Sequence, residues 1–172
     1  DGGIHRSINN GQTFHSCNGG YQSVQFYNGF SNSHQDSIFC IGGLQDNGTI
    51  HWQGGVIWTR VWGGDGSWTA IDTENDSILY VSSQNLNIVK STNKAQNFFN
   101  ATPPTGNSTV FIAPFVNAKD GSETLYAGRS VIYKSQDGGG IWQATNNGNS
   151  LDGNPALSMA ISAQNPNVVY TA

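Results

Sequence analysis

The chain has 172 residues, of which 36% are hydrophobic and only 10% charged, with a formal net charge of −4. That length holds one domain with a real core, and a hydrophobic fraction that includes 5 Trp excludes a disordered chain. The negative balance argues against nucleic acid or an anionic membrane as the main partner, and no run is long and apolar enough for a transmembrane helix.

Asp1-Gly2-Gly3 is a turn signal ahead of a short strand, Ile4-His5-Arg6, and Phe14-His15-Ser16 reads as its partner. Cys17 to Gly20 is a loop, and Tyr21 to Tyr27 alternates weakly, with Val24 and Phe26 on one face. Next comes the apolar run Ile38-Phe39-Cys40-Ile41, as in a strand buried on both faces. Its counterparts are Ile78-Leu79-Tyr80-Val81, Thr124-Leu125-Tyr126-Ala127 and Val168-Val169-Tyr170-Thr171. Matched at the Cys40/Tyr position, they recur at steps of 40, 46 and 44 residues. Turn-rich segments such as Asp46-Asn47-Gly48, Gly63-Gly64-Asp65-Gly66 and Pro103-Pro104-Thr105-Gly106 separate the strands. No stretch has sustained helical periodicity.

A second motif keeps the same period. Ser135-Gln136-Asp137-Gly138-Gly139-Gly140-Ile141-Trp142 reads S-x-D-x-G-x-x-W. The Asp carboxylate can accept backbone N–H bonds and close a tight turn, the Gly supplies φ > 0, and the Trp leads into the next strand with a large apolar face. Ser7, Asn9, Gly11 and Phe14 repeat the unit, and Ser91, Asn93 and Phe98 repeat it with Ala95 in place of Gly. The stretch from His51 keeps only Gly55 and Trp58. The units begin at 7, 51, 91 and 135, so steps of 44, 40 and 44 residues track those of the apolar runs. A fixed period in this range signals a repeat architecture.

Each repeat reads as four short strands. The first is weakly alternating (68–71, 110–115 and 157–161), the second is the apolar run, the third leads into the hairpin unit, and the fourth begins at the aromatic. The units fall at about 1–20 (third and fourth strands only), 21–62, 66–101, 108–145 and 157–172 (first and second strands only). The terminal halves either complete one unit between them or belong to an arc of a larger ring.

S-x-D-x-G-x-x-W resembles the Asp-box, or BNR, repeat of β-propellers. The segments 42–49, 63–66 and 70–72 are similar to sortilin-type and xyloglucanase-type propellers of secreted bacterial proteins. The resemblance implies an all-β propeller, or an arc of one, of about four four-stranded antiparallel blades. It implies a secreted or cell-surface setting. It also implies that the partners are other blades of a larger parent chain or a second copy. In that family the Asp boxes lie away from the ligand face, so Asn9, Asn93 and Asp137 are expected to be structural.

The opposite face, built from the loops after the second and fourth strands of each blade, carries Asp46, Trp62, Asp65, Trp68, Gln84, Asn85 and Arg129. Asp46 and Asp65 leave one repeat on one face, and a pair of carboxylates is what glycoside hydrolysis needs. Asp-Asn-Gly and Gly-Asp-Gly are equally ordinary turn sequences. Trp62 and Trp68 bracket Asp65 and suit sugar stacking, but such residues also serve as blade packing. Arg6, Arg60 and Arg129 are not placed to converge, which disfavours a sialidase. The four histidines lack zinc spacing, and no phosphate loop precedes a helix. No cofactor or metal is expected; calcium at a loop carboxylate or carbonyl is the alternative, without an EF-type loop to support it.

Cys17 and Cys40 allow a single bridge, although a buried thiol at Cys40 is the plainer reading. Sequons at Asn47, Asn75, Asn100 and Asn107 arise by chance in so Asn-rich a chain. No signal peptide or initiator Met is visible, as expected of a mature or excised piece. The leading expectation is a non-catalytic extracellular module for adhesion, assembly or carbohydrate contact. Its ligand contacts would be Trp62, Trp68, Gln84, Asn85 and Arg129. The rival is a glycoside hydrolase using Asp46 and Asp65.

Overall fold

A computed structural model of the chain describes residues 3–20 and 23–172. β1 (His5–Arg6) and β2 (His15–Ser16) form an antiparallel pair. The first four-stranded sheet is β3 (Phe26–Asn32), β4 (Phe39–Leu44), β5 (Gly48–Gln53) and β6 (Thr59–Trp62). The second is β7 (Gly66–Ile71), β8 (Leu79–Ser83), β9 (Asn87–Ser91) and β10 (Phe99–Asn100). The third is β11 (Phe115–Asn117), β12 (Leu125–Gly128), β13 (Ile132–Ser135) and β14 (Gln143–Ala144). β15 (Met159–Ile161) and β16 (Val169–Thr171) close the order as a two-stranded sheet. Strands adjacent in sequence are adjacent in each sheet and antiparallel, so each sheet is a meander.

From the first four-stranded sheet onwards, consecutive sheets stack face to face. Phe39 and Ile41 of the first sheet pack with Ile71, Leu79, Val81 and Val89 of the second. Tyr80, Leu86 and Ile88 on the far face of the second pack with Phe115, Leu125 and Ala127 of the third. Tyr126 and Ile132 then pack with Met159 beneath the last pair. Each fully buried large side chain contributes about 1.5–3 kcal/mol, so the stacking faces hold the core.

The hairpin units are corners, and three of them share one geometry. The Ile141 N–H donates to Asp137 Oδ1 at 2.9 Å, and the Gly139 N–H donates to Ser135 Oγ at 2.9 Å. Asn97 and Ala95 repeat both bonds to Asn93 and Ser91, and Thr13 and Gly11 repeat them to Asn9 and Ser7. Gly139, Gly11 and Ala95 all take positive φ, at 90°, 82° and 65°. The aromatics Phe14, Phe98 and Trp142 each stand immediately before the strand, one residue earlier than the sequence suggests.

The first sheet departs from the pattern. His51 and Trp52 lie within β5, and Gly54, not Gly55, takes positive φ. Trp58 instead stacks on Phe30 at 5.8 Å and on Trp52 at 6.1 Å. The repeat also aligns one residue away from the Cys40/Tyr match. The Phe39 carbonyl accepts the Ser33 N–H just as those of Ile78, Thr124 and Val168 accept Asp72, Ala118 and Ser162. Ile41 therefore holds the place of Tyr80.

Two edge strands shift as well. The alternation over 21–27 begins outside the described residues, and the strand runs from Phe26 to Asn32. Phe26 and Phe30 fill the space above Gly42, where a Cβ would meet Phe26 at 2.6 Å. The expected strand over 110–115 starts only at Phe115, because Pro114 has no N–H for a ladder, while its carbonyl accepts the Gly128 N–H. Neither cysteine is bridged: Cys17 is exposed, and Cys40 is half-buried rather than buried.

Candidate loop-face site

The loops after the second and fourth strands of each sheet meet at one end of the stack. Tight backbone geometry positions them. Asp46, Asn85 and Leu86 take φ of 59°, 61° and 63°, so the chain reverses within a few residues. Asn85 sits in a single 3-10 turn, Gln84–Leu86, and its N–H donates to the Phe111 carbonyl of the next loop.

Side chains then tie loop to loop. Gln84 Oε1 accepts the Asp65 N–H at 2.9 Å, and Asp65 Oδ1 accepts the Asp46 N–H at 2.9 Å. Gln84, Asp65 and Asp46 thus form one relay from the second sheet back to the first. Arg129 holds the corresponding corner of the third sheet, with Nη1 donating to the Asn107 carbonyl at 3.3 Å. It is 4% exposed, and burial lowers its pKa from the ordinary value, against the opposing influence of Tyr133.

The relay borders an open groove of about 320 Å³ lined by Trp62, Gly63, Gly64, Ser83, Gln84 and Asn87. Trp62 is half-buried, with its ring 5.3 Å from that of Phe98. Trp68 does not join the groove; it packs on the core between the second and third sheets. Arg129 lines a separate cavity of about 320 Å³ with Ile132, Leu151, Pro155 and Thr171. Of the candidate ligand residues, the structure therefore brings Trp62 and Gln84 together, sets Asn85 beside them on the same turn, and separates Trp68 and Arg129.

Tyr27 belongs to this corner and was missed in the sequence. Partial burial and the carboxylates of Asp65 and Asp46 raise its phenol above the ordinary pKa. The alternation over 21–27 puts Tyr27 at the end of a strand, whereas β3 begins at Phe26, and this one-strand offset hides its loop-face position. Asn87 was missed because it opens β9, one residue past the turn that carries Asn85.

No family model matches the sequence, and no curated protein matches it. Solved structures do. The Niastella koreensis GH74 enzyme superposes with a TM-score of 0.67 at 21% identity, covering 85% of this chain and 24% of that one. The GH74 xyloglucanase from Xanthomonas campestris gives 0.60 at 13%, covering 81% and 25%. YCF48 from Cyanidioschyzon merolae gives 0.58 at 13%, covering 80% and 47%.

The fold is a stretch of Asp-box β-propeller. The sheets are its blades. The chain spans about a quarter of the length of the two GH74 proteins and about half of the third, in keeping with part of a larger propeller assembly. At these identities the likeness extends to fold alone.

Proposed function

We propose that this chain is a non-catalytic propeller module that contacts a neutral polysaccharide through the loop-face groove beside Trp62, in an extracellular setting. The bond from the Asp46 N–H to Asp65 Oδ1 carries the reading. A glycosidase needs two carboxyl groups flanking the scissile bond. Here the Asp65 carboxylate is tied to the backbone of Asp46, so the two aspartates stand on one wall and Asp65 serves as a loop staple. The groove lining itself holds no acid: it offers one indole, with Gln84 and Asn87 amides that can donate to and accept from sugar hydroxyls. The resemblance to propellers of secreted bacterial proteins supports the extracellular setting.

One matched structure is a xyloglucanase, which makes xyloglucan the first ligand to try. Affinity electrophoresis should show retardation by xyloglucan that Trp62→Leu and Gln84→Ala both weaken, with circular dichroism unchanged. Reducing-end assays should show no hydrolysis. Hydrolysis that Asp65→Ala abolishes would instead establish the glycosidase.

A further inference from the structure

The two joints between whole blades are stapled differently at the same loop-face position. The backbone N–H groups of Asp72 and Ala118 donate to the carbonyls of Ile78 and Thr124, which aligns the second blade with the third. Counted back seven residues from those bonds, Asp65 and Phe111 hold one place. Asp46 and Asn85 hold another, each two residues past the second strand of its blade, with φ of 59° and 61°. At the first joint the Asp65 carboxylate accepts the Asp46 N–H at 2.9 Å. At the second joint the Phe111 backbone carbonyl accepts the Asn85 N–H at 2.8 Å. The main chain does at position 111 what a side chain does at position 65, so the Phe111 ring has no part in the staple.

That ring stands in solvent. Phe111 is 51% exposed, while its neighbours Val110 and Ala113 join the core shared by the second and third blades, which is complete without it. The polar groups beside it are free as well. Gln84 Oε1 holds the Asp65 N–H, but Gln84 Nε2 and the side-chain amide of the exposed Asn85 have no hydrogen-bond partner among the described residues. Along the loop face the order is Trp62, Gln84, Asn85, Phe111: an aromatic, two free amides and a second aromatic. The groove joins Trp62 to Gln84, and the 2.8 Å backbone bond fastens Asn85 to Phe111.

We propose that Phe111 is a second stacking platform for the polysaccharide of the Trp62 groove, so that one sugar chain crosses the second blade from one aromatic to the other. The inference rests on the groove reading above and gives it a direction and a length. The apolar face of one sugar ring covers Trp62 and that of a later ring covers Phe111. Hydroxyls between them meet the Gln84 Nε2 donor and the Asn85 amide, which both donates and accepts. Stacked sheets lie about 10 Å apart, so a short saccharide covers one aromatic and a longer chain covers both. The site therefore selects for chain length.

Titration calorimetry of the 172-residue chain with xyloglucan, and with a ladder of oligosaccharides of its backbone, tests this. Phe111→Ala should weaken xyloglucan binding about threefold to tenfold with circular dichroism unchanged. That loss should appear only with the longer oligosaccharides, whereas Trp62→Leu should weaken every length that binds. Phe111→Trp keeps a stacking face and should bind xyloglucan as the parent does. If Trp62→Leu weakens binding and Phe111→Ala does not, the second platform is overturned and the groove stands. A Phe111→Ala loss that is equal at all lengths, or that Phe111→Trp shares, would also overturn the platform. No binding by the parent, or binding indifferent to Trp62→Leu, would overturn the groove reading and the platform with it.

Discussion

The corner of the third blade, Ser135 to Trp142, and that of the second, Ser91 to Phe98, make the same bonds from different residues. Asp137 and Asn93 each accept an N–H four residues on, at 2.9 Å. Gly139 and Ala95 both take positive φ. The surroundings differ. A Cβ on Gly139 would meet Ala101 Cβ at 2.7 Å and its carbonyl oxygen at 3.2 Å, whereas the methyl of Ala95 is 7% exposed and packs in the core with Phe39 and Val89. The turn is thus set by backbone bonding. Whether a side chain is tolerated at its left-handed residue is set by what lies across from it.

The largest expected effect comes from making the two corners alike. Gly139→Ala adds left-handed strain of about 1–2 kcal/mol and overpacking of about 1–3 kcal/mol. Urea unfolding should show a loss of about 2–5 kcal/mol. Ala95→Gly relieves similar strain, but it removes a buried methyl worth about 0.8 kcal/mol and adds about 0.5–1 kcal/mol of chain entropy cost. It should stay within about 1 kcal/mol of the parent. Equal losses in the two variants would show that the contact with Ala101 does not matter.

Serine truncation should rank next. Ser135 and Ser91 are 1% and 0% exposed, and each accepts an N–H from the residue four positions on. Replacing either by Ala leaves that buried donor unpaired, at a cost of about 1–3 kcal/mol. Ser7→Ala should cost less, because its Gly11 partner is exposed and water can replace the hydroxyl. A cost for Ser7→Ala as large as for Ser135→Ala would mean that water does not replace the hydroxyl at the exposed corner.

These corners were legible in the sequence because each bond is local. Ser135, Asp137 and Gly139 touch within the same turn, so their spacing encodes the geometry. The first blade was misread for the opposite reason. Its corner is built from long-range contacts, with Trp58 against Phe30 and Gly42 left bare for Phe26, and no local spacing records them. The one-residue offset between Ile41 and Tyr80 is visible only through strand pairing. At the loop face, turn sequences disclosed where Asp46, Asp65 and Gln84 would lie, but not that they bond to one another. Trp68 and Arg129 were placed by loop position alone, and burial took both out of the groove.

The smallest effect separates the corners by charge. The bond from the Ile141 N–H, and then that from the Ser135 hydroxyl, hold the Asp137 pKa below its ordinary value of 3.8. Its folded-state pKa is depressed, so the stability it adds is present above that ordinary value and lost as pH falls through the folded one. Asn93 accepts the corresponding bonds without titrating. Urea midpoints of the parent and Asp137→Asn, measured from pH 7 down to pH 2, should therefore differ most at neutral pH and converge below about pH 4. Asp120 and Asp152 are also depressed, but they titrate in both proteins and cancel in the difference. A gap that stays constant across the acid range would mean that the carboxylate acts only as a neutral acceptor, and that its charge contributes nothing the asparagine corner lacks.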